Sequence, residues 1–154
     1  MSPDEKTLLE IVRHTPLVSI DLLVYNPKGE VLLGLRRNRP AQGTWFVPGG
    51  RIRKDERIPQ AIQRIAKAEL GLELDPSQAK FKGVYEHLYE DNFAGEQGIS
   101  THYIVLAYEF HLAGEVEIKG DHQHARFHWW NISGLLAAPD VHPNTKAYFP
   151  GINK

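Results

Sequence analysis

The chain has no cysteine and a single methionine among its 154 residues. The first absence removes a disulfide framework, a thiolate zinc site and a cysteine nucleophile together. Net charge is nearly absent as well: 18 Lys and Arg face 19 Asp and Glu, a formal charge of -1. A general nucleic-acid binder carries a basic excess, so no nucleic-acid partner is expected. No apolar run nears the ~18 residues that a spanning helix needs, and no membrane partner is expected either. The opening stretch 1–14 mixes acids with bases and lacks the apolar core of a signal peptide, which makes a cytoplasmic location the expectation. What remains is ordinary. With 42% hydrophobic and 24% charged residues, the chain reads as folded and globular, not disordered or fibrous. One domain over 1–154 is expected, long enough to bury roughly two-thirds of its unfolded surface.

Turn residues recur about every ten positions, with strand-like and helix-like patterns between them. Leu8, Ile11 and Val12 give Thr7–Arg13 an apolar helical side, which Pro16 ends. Leu17–Tyr25 is aliphatic and β-branched, closes on the turn 26–29, and reads as a hairpin with Glu30–Arg36. Asp21 interrupts the first of these strands, where alternation leaves open whether it faces solvent or the interior. Trp45–Val47 reads as a short strand. The clearest helix runs Pro59–Leu70, with Ile58, Ala61, Ile62, Ile65, Ala66 and Leu70 as its stripe, Pro59 at its start and Gly71 past its end. Strands follow at Phe81–Leu88, His102–Phe110 and Arg126–Trp130, then short helices near Ser133–Ala138 and Asn144–Phe149. Trp129 and Trp130 read as sheet core. Tyr103 can be core or site at the head of its apolar strand. The polar stretch Tyr89–Ser100 is long for a loop in a compact domain, and such loops are more often functional than idle. The expected class is α+β, a mixed sheet flanked by helices.

Most of the chemistry sits in Gly50-x5-Glu56-x7-Arg64-x4-Glu69-x-Gly71-Leu72. This resembles the Nudix box, G-x5-E-x7-R-E-U-x-E-E-x-G-U with U apolar, and Ala66 fills one U position. Ile65 and Ala68 stand where that pattern has acids. Positions 65, 68 and 69 are spaced i, i+3, i+4 on one helix face, so Glu69 is the one carboxylate left there. One carboxylate suits a single Mg2+ completed by carbonyls, water and substrate phosphate. Outside the box, Trp45-Phe-Val-Pro-Gly-Gly-Arg51, Asp91-Asn-Phe93, Thr101-His-Tyr103, Gln123-His124 and Val141-His142 resemble the branch of the Nudix superfamily that hydrolyses GDP-mannose. The likeness runs over nearly the whole chain.

The resemblance implies a Nudix-type α/β/α sandwich and cleavage of the glycosidic C–O bond of GDP-mannose, with GDP-glucose as a further substrate. Water would attack the anomeric carbon with inversion and release GDP. It implies one Mg2+ per subunit and a homodimer, with the Tyr89–Ser100 loop a candidate for reaching a neighbouring active site. By position, the Gly49 carbonyl, Glu69 and Gln123 would hold the metal, and His124 would be the general base. Arg36 and Arg51 would bind the diphosphate, where a guanidinium fork suits phosphate oxygens. Tyr103 would donate to the leaving group, and Asp21 and His87 would support the substrate and the metal-bound water. Leu8 would lie near the base, at a place where relatives carry an aromatic. Arg64 would brace the loop through Glu56. Two alternatives stay beside this reading. Ile65 and Ala68 count against a pyrophosphohydrolase acting at phosphorus, and Glu56, Arg64, Glu69, Gln123 and His124 count against a non-catalytic nucleotide-binding domain.

Overall fold

The computed structural model describes residues 1–119 and 124–150, without the side chains of 124 and 125. Helix α1 spans Pro3–His14, starting before the apolar stripe does. A capping box sets that start: Ser2 Oγ accepts from the Glu5 N–H at 3.1 Å, and the Glu5 carboxylate accepts from the Ser2 N–H at 3.0 Å. Strands β1 (Leu17–Tyr25) and β2 (Val31–Arg36) follow, then the short β3 (Trp45–Phe46) and β4 (Gly49–Arg51). Helix α2 covers Ile58–Leu70 and ends at Gly71, whose φ of +66° is left-handed and whose N–H caps Ala66 and Lys67. Strands β5 (Lys80–Tyr89), β6 (Thr101–His111) and β7 (His124–Trp130) precede helices α3 (Ile132–Ala137) and α4 (Pro143–Lys146). The last helix is shorter than its pattern predicts, because the chain continues to Phe149 in tighter turns bonded three residues back.

The sheet is mixed. Strand β6 runs parallel to all of β1, and β7 runs antiparallel along β2, so β1 and β2 turn their remaining edges toward each other. The expected hairpin between them is registered at Tyr25 and Val31, after which the strands splay. Into the opening come β4, paired with Ser19–Asp21 of β1, and β3, paired with Gly34 and Leu35 of β2. The Leu22 N–H reaches the Pro48 carbonyl at 2.8 Å and ties down the link between them. Gly49–Arg51 has little strand propensity of its own; it becomes β4 because the splay leaves backbone groups of β1 to be paired.

Strand β1 is buried on both faces, which explains its nearly unbroken apolar run. Ile20, Leu22 and Val24 pack with Ala61, Ile62 and Ile65 of α2. Leu23, on the opposite face, packs with Leu135, Tyr148 and Phe149. Two helical layers therefore sandwich the sheet. Each fully buried Leu or Ile contributes about 1.5–3 kcal/mol. Trp129 and Trp130, read as sheet core, are partly buried at the margins of the two cores, Trp130 edge-on to Trp45 at 5.4 Å. Among the described residues, no helix is long and apolar enough to cross a membrane.

Candidate active site

The splay between β1 and β2 leaves a cavity of about 270 Å³. It gathers Leu8 from α1, Asp21 from β1, Arg36 from β2, Gly49, Gly50 and Arg51 from β4, His87 from β5 and Tyr103 from β6. Residues far apart in the chain thus line one cavity. Glu56, Arg64, Glu69 and Gly71 are not among its lining. Gln123 lies outside the described residues, as does the His124 side chain. The His124 backbone, first in β7, pairs with Arg36 across a local register shift.

Asp21 settles its open question. Alternation puts it on the Leu23 face, 7% exposed, where it accepts a hydrogen bond from the Tyr148 hydroxyl. Burial pushes the Asp21 carboxyl up to about 7, opposed by the Tyr148 bond and by Arg36. The Tyr148 hydroxyl also lies 3.4 Å from His87 Nε2, at the limit of hydrogen bonding. His87 packs edge-on to Phe46 with centroids 5.8 Å apart. Its pKa falls to about 4 through burial first and His142 second, so the ring is neutral at physiological pH. Tyr148 escapes sequence reasoning because its partner lies 127 residues away.

Tyr103 is held above the usual phenol range by burial, against the pull of Arg51 and then Arg36. It therefore stays protonated and able to donate. Tyr89 lies edge-on to Tyr103 at 6.4 Å, and its hydroxyl accepts from Asn144 Nδ2 at 3.3 Å. Arg36 is oriented from its own loop, with Nε donating to the Pro40 carbonyl at 2.9 Å. Gly49 is a glycine by necessity: a Cβ there would meet the Asp21 carboxylate and the Ile20 carbonyl, the latter at 2.5 Å.

The box forms a separate brace. Arg64 grips Glu56 with Nε and Nη2 at 2.7 and 2.8 Å, and Nη2 also donates to the Arg51 carbonyl at 2.7 Å. Glu56 further accepts from the Arg53 N–H at 3.0 Å. The Arg64 fork holds the Glu56 carboxyl down at about 2. On α2, residues 65, 68 and 69 do not share one environment. Ile65 is in the core, 3.1 Å from where a Gly50 Cβ would stand, and Ala68 is exposed. Glu69 is half-buried, and its Oε2 is enclosed without a hydrogen-bond partner. A buried carboxylate oxygen left unsatisfied is unfavourable unless something positive meets it. No group of three His, Cys, Asp or Glu arranged to hold a metal occurs among the described residues. Any cation near Glu69 must draw on carbonyl, amide or water oxygens as well.

The α/β/α sandwich, the β1–β2 splay and the braced 50–72 segment define a Nudix fold. The NUDIX domain family model matches residues 15–150, and the chain belongs to that family of hydrolases. The low-salt glycan biosynthesis protein Agl8 of Haloferax volcanii is 41% identical over 117 residues, covering 75% of this chain and 71% of that protein. The 8-oxo-dGDP phosphatase NUDT18 of Danio rerio is 26% identical over 118 residues, covering 76% of this chain and 33% of that protein. Among solved structures, the MutT protein of Methanosarcina mazei Go1 superposes with a TM-score of 0.72 at 20% identity, over 88% of this chain and 92% of that one.

Proposed function

We propose that the chain hydrolyses a GDP-hexose, GDP-mannose or GDP-glucose, to GDP and the free sugar by inverting attack of water at the anomeric carbon. The observation that carries this reading is one cavity lined by three arginines, Arg36 and Arg51 among them, with a protonated phenol, a buried carboxyl and a neutral imidazole. Departure of GDP places negative charge on the β-phosphate. Arg36 and Arg51 meet that charge with forked donors, and Tyr103 donates to the leaving oxygen. The new C–O bond forms opposite the one that breaks, while His124 takes a proton from the attacking water. Asp21 and His87, linked through Tyr148, hold the substrate and its water in place.

One Mg2+ belongs to the same proposal. The unpartnered Glu69 oxygen fits a hard cation, and Glu69, the Gly49 carbonyl and Gln123 would hold it. When bound, it supplies positive charge to the diphosphate as a Lewis acid. The Agl8 relative, named for glycan biosynthesis, favours a sugar-bearing substrate. A homodimer is proposed on the family resemblance alone.

The second reading is a pyrophosphohydrolase that attacks phosphorus, favoured by the relative named an 8-oxo-dGDP phosphatase. Incubation with GDP-mannose and Mg2+ separates the two. GDP and mannose are the expected products; GMP and mannose 1-phosphate would establish the second reading instead.

A further inference from the structure

The hydrolysis just described gives no part to Asp91-Asn-Phe93, yet this segment is firmly built. Asn92 is fully buried and uses its whole amide on its own loop. Its Nδ2 donates to the carbonyls of Glu96 and Ile99, both at 2.8 Å, and its Oδ1 accepts from the N–H groups of Ala94 at 3.0 Å and Glu96 at 3.1 Å. Thr101 Oγ1 closes the base of the loop on the Asp91 carbonyl at 2.7 Å. The loop so fixed folds against its own α1. Phe93 and Ala94 pack with Leu8, Leu9, Val12 and Ile99.

Phe93 is only half-buried by this packing, and it lines the cavity beside Leu8, Val12 and Leu17. That wall is apolar, whereas Arg36, Arg39 and Arg51 line the same cavity elsewhere. Helix α1 brings no aromatic residue of its own to it. A flat ring on a rigid loop, next to an aliphatic wall and within one cavity with three guanidinium groups, matches the two halves of a nucleoside diphosphate. The base needs an apolar face and the phosphates need cations.

We propose that Phe93, on the loop that Asn92 fixes, is the nucleobase platform of this site. The proposal rests on the reading of the substrate as a GDP-hexose. It locates the aromatic contact on the Tyr89–Ser100 loop of the same subunit, at a wall where Leu8 offers only aliphatic surface.

Calorimetric titration of the full chain with Mg2+ tests it, using GDP, UDP and inorganic diphosphate as separate probes. Phe93→Leu keeps the packing on α1 while removing the ring. GDP affinity should fall roughly tenfold, the usual scale for losing one base–aromatic stack. Inorganic diphosphate should bind both proteins alike, and Phe93→Tyr should hold GDP within about twofold of the parent. Equal losses for GDP and inorganic diphosphate would mean a damaged cavity and overturn the platform. So would GDP affinity unchanged in Phe93→Leu. A parent chain that binds neither GDP nor UDP would overturn the platform and the GDP-hexose reading together. A parent that binds GDP while ignoring the Phe93 change overturns the platform alone.

Discussion

Glu56 and Asp21 are both carboxylic acids within one small fold, and their surroundings push them in opposite directions. Glu56 sits in the fork of Arg64 near the surface and is held at about 2. Asp21 is buried at the wall of the cavity with a phenol for a partner and rises to about 7. The lesson concerns division of labour. A carboxylate ionised at every working pH serves as a fixed strut, here orienting the Arg64 guanidinium, which ties α2 to β4 by donating to the Arg51 carbonyl. One lifted toward neutrality by burial is what a reacting site uses. The Glu56–Arg64 pair of the box is a brace, whereas the cavity beyond β4 collects groups whose protonation is shifted by burial.

The largest effect that would sharpen this contrast is at the proposed general base. His124→Gln should lower kcat by roughly 10²–10⁴-fold with little change in KM, since a general base acts in the transition state. A folded variant turning over within a few-fold of the parent would remove His124 from that role and leave His87 to be tested.

On the brace side, Glu56→Gln should destabilise the fold by about 1–2 kcal/mol near neutral pH, solvent screening taking part of the full ionic gain, as measured by denaturant unfolding. A depressed carboxyl gives stability that is present above its unfolded value of 4.5 and is lost as pH falls through about 2. The gap between parent and variant should therefore close as pH falls through that window. A gap that persists at pH 2 would mean that packing, not charge, holds the brace.

Asp21 predicts the opposite slope. Its raised pKa means that the folded chain binds more protons than the unfolded chain between 3.8 and about 7, so its contribution declines as pH rises across that window. Asp21→Asn should thus melt higher than the parent at pH 8, with the difference vanishing below pH 4. A variant-minus-parent difference that stays constant at all pH values would mean an unshifted Asp21 carboxyl, and one that grows as pH falls from 8 to 4 would break the comparison.

Much of this was legible beforehand, for reasons that differ by residue. Leu17–Tyr25 is found within its observed bounds, because a strand buried on both faces is apolar throughout. The stripe of α2 marks its helix to within one residue, and the pairing of Arg64 with Glu56 follows from the box. Helix α1 starts earlier than its apolar periodicity predicts, because polar capping by Ser2 and Glu5 carries the signal. Strand β4 has no signal in the sequence, because Gly-Gly-Arg is a strand only by virtue of its neighbour. The cavity residues are named by the family resemblance, but their states are not. Neither the burial of Asp21, nor its bond to Tyr148, nor the stranded oxygen of Glu69 can be read from a one-dimensional pattern, since each depends on contacts across the fold.

The central claim is that water attacks carbon and not phosphorus. Hydrolysis of GDP-mannose in ¹⁸O-labelled water, with mass spectrometry of both products, tests it most directly. The account predicts the label in the hexose, released as the β-anomer when caught before mutarotation, and unlabelled GDP. Label in the nucleotide, or in a hexose phosphate, would contradict it.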